Sequence, residues 1–201
     1  MCFRIPCQYR EFELIKKTVT MVLIIATCVS MMALHTVSAQ SVSNEYQIKS
    51  AFLYNFARFV QWPSDAFATD NAPIYIGIIG KDVFGETLEA LEGKTIGGRK
   101  VVVRRFGRGE VFDKCHVLFV SPSEKENLAQ IFYRLNGSNI LTVGDTEGFC
   151  REGGIINFYK VESKVRFEIN LDAAGRAKLK ISSKLLSLAS IVGDMNPWRR
   201  K

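Results

Sequence analysis

The chain has 201 residues, 47% of them hydrophobic, and 27 basic side chains against 20 acidic ones give a net charge of +7. The excess is modest and its cations are scattered except around Arg99–Arg108, where Phe106 is the one aromatic. That pattern argues against a nucleic-acid binder and fits a solvated basic loop and strand edge.

Residues 1–39 read as a secretory signal. Arg4, Arg10, Lys16 and Lys17 make a basic start, diluted by Glu11 and Glu13, and Thr18–Leu34 follows as a mostly apolar segment. Val37-Ser38-Ala39 then offers small residues to a signal peptidase, with Gln40 as the mature N-terminus. An uncleaved anchor is the competing reading, but 17 apolar residues sit at the lower limit for spanning a bilayer. Residues 40–201 then number 162 with a net charge of +5, enough for a single domain with a sizeable core. Cys2, Cys7, Cys28 and His35 leave with the signal, so Cys115, Cys150 and His116 are what remain of their kinds.

From Glu45 to Val60 the apolar residues Ile48, Phe52, Phe56 and Phe59 recur at helical spacing, with Asn44 as a cap and Trp62-Pro63 as the stop. Ile74–Ile79 is a continuous apolar run, the mark of a strand covered on both faces. Asp82–Leu91 reads as a helix that turns Phe84, Leu88 and Leu91 inward. Lys94–Ile96 and Lys100–Arg105 flank Gly97-Gly98 as a hairpin. The alternation then repeats: strand Cys115–Val120, helix Ser123–Leu135 with Glu126 at the capping-box position, and strand Asn139–Val143. Ile155–Tyr159 and Val165–Leu171 read as an antiparallel pair. Beyond them Asp172 caps a short helix, and Ser182 or Ser183 caps another with Leu185, Leu186, Leu188, Ala189 and Val192 as its stripe. The expected fold is therefore α/β: a mainly parallel sheet with helices on both faces and an antiparallel edge, in one compact domain.

No motif along this order carries enzyme chemistry. Gly77, Gly80 and Gly85 follow a strand but miss the dinucleotide-binding spacing, and turn glycines explain them better. Ser121 and Ser123 lie at a strand end without a nucleophile elbow, and His116 sits at the opposite end of that strand as a buried structural residue. Asp145 and Glu147 belong to a glycine-punctuated loop that turns the chain, with ligand binding as the minority reading. No catalytic set, metal site or cofactor is expected. Cys115 and Cys150 stand as the redox or disulfide candidates, although parallel strands would hold them apart by most of a strand length, ~17–20 Å.

The segments Ala51-Phe52-Leu53-Tyr54-Asn55-Phe56-Ala57-Arg58-Phe59-Val60, Ile78-Ile79-Gly80-Lys81-Asp82-Val83-Phe84-Gly85, Cys115-His116-Val117-Leu118-Phe119-Val120-Ser121 and Leu141-Thr142-Val143-Gly144-Asp145 form an ordered set. Gly148-Phe149, Gly153-Gly154-Ile155-Ile156-Asn157-Phe158, Arg166-Phe167-Glu168-Ile169-Asn170-Leu171 and Ile181-Ser182-Ser183-Lys184-Leu185-Leu186 complete it. Over nearly all of Tyr46–Val192 the chain resembles the YfiR family of periplasmic regulators. The resemblance implies a dimeric, non-enzymatic repressor in the periplasm. Such a protein holds the periplasmic sensory region of a membrane-anchored diguanylate cyclase inactive, and so limits cyclic di-GMP and biofilm growth. It also implies a link to an outer-membrane lipoprotein and to envelope redox state through disulfides, for which this chain offers Cys115 and Cys150.

The residues themselves place a partner or ligand surface on Arg166, Glu168 and Asn170, which alternate away from Val165, Phe167 and Ile169, together with Ser183 and Lys184 at the adjoining cap. Glu168 leads, because a carboxylate between a cation and an amide makes charge-assisted hydrogen bonds. An internal Arg–Glu pair that merely orders the sheet face is the alternative. The competing function is a periplasmic small-molecule binding protein that serves a sensor kinase or a transporter.

Overall fold

A computed structural model describes residues 16–24, 44–107, 110, 112 and 114–193. Contacts divide the chain into Met1–Asn44 and Glu45–Lys201. In the first unit, residues 16–24 are helical and exposed. The expected cleavage site, Gln40 and Arg108 lie outside the described residues. Among those described, no helix is long and apolar enough to cross a membrane.

Residues 44–59 are helical (α1), all but Asn44 within the second unit, so Asn44 is part of the helix rather than its cap. The buried face is Lys49, Leu53, Phe56 and Ala57, whereas Ile48 is 43% exposed and Phe52 and Phe59 are half-buried. The helix is thus rotated from its expected setting by the presence of one buried lysine. Val60–Gln61 (β1) leaves α1 and pairs antiparallel with Lys180–Ile181 (β9).

Eight strands form the main sheet, in the order β10-β8-β7-β6-β5-β2-β4-β3. Their ranges are β2 Ile74–Ile79, β3 Thr95–Ile96, β4 Arg99–Phe106, β5 Val117–Val120, β6 Leu141–Gly144, β7 Ile156–Val161, β8 Lys164–Asn170 and β10 Ser190–Val192. Strands β4, β2, β5, β6 and β7 run parallel, and β3–β4 and β7–β8 are antiparallel hairpins. Gly97 and Gly98, at φ 55° and 83°, make the first hairpin's turn as expected.

Alternation along the strands serves two cores. Ile76, Ile78, Val117, Phe119, Leu141 and Val143 meet Leu53 and Phe56 of α1 on the first face. Ile79, Leu118 and Val120 meet Leu128 and Ile131 of α2 (Leu128–Arg134) on the second. Helices on both faces of a mostly parallel sheet are what the continuous apolar runs implied.

Four expected helices differ in form. Asp82–Leu91 is two 3-10 turns, Gly85–Thr87 and Glu89–Leu91. The Asp82 carboxylate accepts the amides of Phe84 and Gly85 and diverts the chain before an α-helix can start, yet Phe84, Leu88 and Leu91 are still buried. Pro122–Asn127 is likewise 3-10 before α2, and the Ser123 hydroxyl accepts the Lys81 amide at 2.9 Å instead of capping its own helix. Asn170, not Asp172, caps α3 (Leu171–Arg176) by accepting from the Ala173 amide. Ser182 caps α4, as expected, but α4 is a single turn, Ser183–Leu186.

Of the rest of that last stripe, Leu188 and Ala189 turn the chain and Val192 enters β10, which pairs parallel to β8 through Ser190↔Glu168, Ile191↔Ile169 and Val192↔Asn170. Two consecutive β-branched residues, Ile191 and Val192, suit that extended edge. The β7–β8 hairpin is therefore inside the sheet, with β10 as its margin.

Candidate functional site

Register places Asn157 and Tyr159 of β7 opposite Glu168 and Arg166 of β8, and Ser190 of β10 beside Glu168. These side chains share the face opposite the buried Phe158, Phe167 and Ile169. Arg166 and Ser190 are exposed, while Tyr159 and Glu168 are half-buried. The Glu168 carboxylate accepts from the Asn157 amide at 3.3 Å, and Asn157 in turn accepts the Thr146 backbone amide at 3.1 Å. Tyr159 and Ser190 share a hydroxyl hydrogen bond of 2.8 Å. A groove of about 590 Å³ runs from this face to the loop after β6, lined by Asp145, Glu147, Arg151, Asn157, Lys160 and Glu168 among others.

Of the residues singled out in the sequence, Arg166 and Glu168 stand on this face. Asn170 does not reach it. Its side chain is fully buried, donates to the Cys150 carbonyl at 2.7 Å and accepts from Ala173. Ser183 and Lys184 are exposed on α4, one turn before β10. Cys115 and Cys150 are both buried and neither forms a disulfide. They belong to different surroundings: Cys115 donates to the Phe112 carbonyl, and Cys150 lies against the Ile155 and Glu168 carbonyls.

The acidic loop has a structural task. The Phe149 ring lies between Gly144 and Gly154, where an added Cβ would come within 2.4 Å and 2.1 Å of it. It also meets Phe132 of α2 edge-on at 5.2 Å. Asp145 of the same loop binds Lys49 of α1 at 2.6 Å and accepts the Tyr46 hydroxyl at 2.9 Å. Lys49 is 2% exposed and also bonds Glu45, whose other oxygen holds Lys160 at 2.5 Å. Burial pushes the Glu45 carboxyl up, but Lys160 and Lys49 outweigh it and hold the group below its ordinary value. Burial and the Asp145 charge push the Tyr46 hydroxyl well up. Sequence reasoning missed this network. Its signal was Glu45 and Lys49 at i,i+4, with the lysine on an otherwise apolar helix face.

His116 is structural, as its isolation suggested. Its Nδ1 accepts the Tyr75 amide and its Nε2 donates to the Ala66 carbonyl, each at 3.1 Å. The ring stacks on Phe67 at 4.5 Å and Tyr75 at 6.0 Å, and Arg99 and Arg104 cover the outer faces of those two rings. Burial, opposed by the Ala66 bond and aided by Arg99, lowers its pKa and keeps it neutral. Arg105 binds Asp82 and Glu89. The basic cluster is thus committed to internal partners at Arg99, Arg104 and Arg105. Among the described residues no group of three or more His, Cys, Asp or Glu side chains is arranged to hold a metal ion.

The fold and this face define a single α/β domain that carries a polar sheet face on β7, β8 and β10. The profile of the YfiR/HmsC-like family matches residues 46–190, and the chain belongs to that family. A crystal structure of a conserved domain protein from Vibrio cholerae is similar at 13% identity and a TM-score of 0.45, covering 58% of this chain and 54% of that one. The chain thus spans about half the length of that structure.

Proposed function

We infer from membership of this family that the chain is a periplasmic regulator of cyclic di-GMP signalling rather than an enzyme. We propose that the chain is exported with removal of residues 1–39 and docks on the periplasmic sensory region of a membrane-anchored diguanylate cyclase, repressing it. The observation that carries this reading is the polar face of β7, β8 and β10. Glu168 is half-buried there, oriented by Asn157 from the neighbouring strand, and flanked by the exposed Arg166 and Ser190. An oriented carboxylate has little ordering entropy left to lose on binding, so it serves a partner better than a mobile one. Asn170 supports the surface from beneath by fixing the strand end.

Binding of purified Glu168→Ala to the sensory domain of the cyclase tests the reading. Loss of a charge-assisted contact of this kind weakens binding by about tenfold or more. Undiminished binding by a folded variant would remove Glu168 from the interface.

A further inference from the structure

We propose a ligand site for a small zwitterion, one primary ammonium and one anionic group, in the crevice between the carboxyl ends of β2 and β5. The chain passes from β2 to β4 on one side and returns to β5 on the other, so this crevice is where strand order reverses. In open α/β sheets that position lies outside the strand ends with no crossover above it, and it is where such folds hold ligands. The space beside it measures about 720 Å³ and is walled by the ends of β2 and β4 and by the segment after β5, with Gly80, Lys81, Phe106, Glu124, Asn127 and Arg134 among its residues.

Glu124 sets the chemistry. It is 8% exposed, and Asn127 donates to one of its oxygens at 2.8 Å. Among the described residues no lysine or arginine forms an ion pair with it. Its other oxygen keeps contact with the open crevice, where a cation can meet it. Its setting is built rather than incidental: Gly80, at φ +91°, lets the strand end pass so close that a Cβ would fall 2.8 Å from Glu124 and 2.5 Å from the Ser123 hydroxyl. The crevice wall also carries two cations, Lys81 and Arg134, the latter positioned by the Glu110 carbonyl at 2.9 Å and the Phe112 ring at 4.3 Å. An ammonium group answers Glu124, and a carboxylate or phosphate on the same molecule answers Lys81 and Arg134.

Calorimetric titration of the full chain with L-alanine, O-phosphoethanolamine, ethanolamine, acetate and inorganic phosphate tests the site. Binding of either zwitterion at least tenfold tighter than the probes that carry only an ammonium or only an anion is expected, and the better of the two identifies the anionic group. Glu124→Gln weakens that binding by about tenfold or more. Lys81→Gln, an exposed change that leaves the fold alone, weakens it while sparing ethanolamine, and decides the matter if Glu124→Gln does not fold. No saturable binding of either zwitterion below 10 mM (roughly the weak limit for a specific site), ethanolamine binding as tightly as its phosphate, or binding untouched by both variants would each overturn the proposal.

Discussion

Replacing Lys49 with methionine keeps most of the apolar stem of the side chain and removes its charged, donating end. In the native protein that charge sits 2.5 Å from Glu45 and 2.6 Å from Asp145, on a residue 2% exposed. Removing one partner of a buried ion pair costs about 3–5 kcal/mol, because the other charge is stranded. Two features reduce that figure here. The carboxylates retain 15% and 16% side-chain exposure, and each keeps another partner, Lys160 for Glu45 and the Tyr46 hydroxyl for Asp145. A loss of about 2–4 kcal/mol at pH 7 is the expectation, read as a shift in the urea midpoint at unchanged slope.

The pH dependence gives the sharper check. Glu45 titrates below its ordinary value in the folded chain, so its contribution is present above about pH 4.5 and is lost as pH falls through the lowered value. The gap between wild type and Lys49→Met therefore narrows on acidification below about pH 4.5. Adding Asp145→Asn to Lys49→Met recovers part of the loss, with a coupling of about 1–3 kcal/mol. A penalty under about 1 kcal/mol that ignores pH would show that Lys49 is buried for its methylenes, not its charge.

His116 makes a second pH-dependent contribution. Its folded pKa is lowered, so the unfolded chain takes up a proton first, and stability falls as pH drops below about 6.5. Denaturation midpoints across pH 5–8 (roughly one to two units around that value) show the fall, and a folded His116→Gln variant shows none between pH 7 and the carboxylate range. Gly154→Ala drives a methyl to 2.1 Å from the Phe149 ring and destabilises by about 1–3 kcal/mol by the same assay. Gly175→Ala, with open space at its Cβ and a helical backbone, is neutral or stabilising and serves as the control.

The parallel sheet was legible because its strands are short unbroken apolar runs, such as Ile74–Ile79, that make sense only between two layers. Residue periodicity could not show that Lys49 shares the buried face of α1 with Leu53 and Phe56, because its partner Asp145 lies 96 residues away. Tertiary pairing turned a charge toward the core and Ile48 toward solvent. The last stripe failed for a related reason. Leu185, Leu186, Leu188 and Ala189 suit a helix locally, but the free margin of β8 captures Ser190–Val192 as a strand, and no helical period encodes that capture. At the candidate surface, alternation located Arg166 and Glu168 but carried Asn170 along with them. A strand's last residue is where the alternation rule meets the demand for a helix cap, and the cap prevailed.

The loop after β6 fastens both helical layers at once. Phe149, clasped by two glycines, bears on α2, while four residues earlier Asp145 grips α1 from the other side of the sheet. A partner that levers α1 outward must therefore strain the same short loop that seats α2.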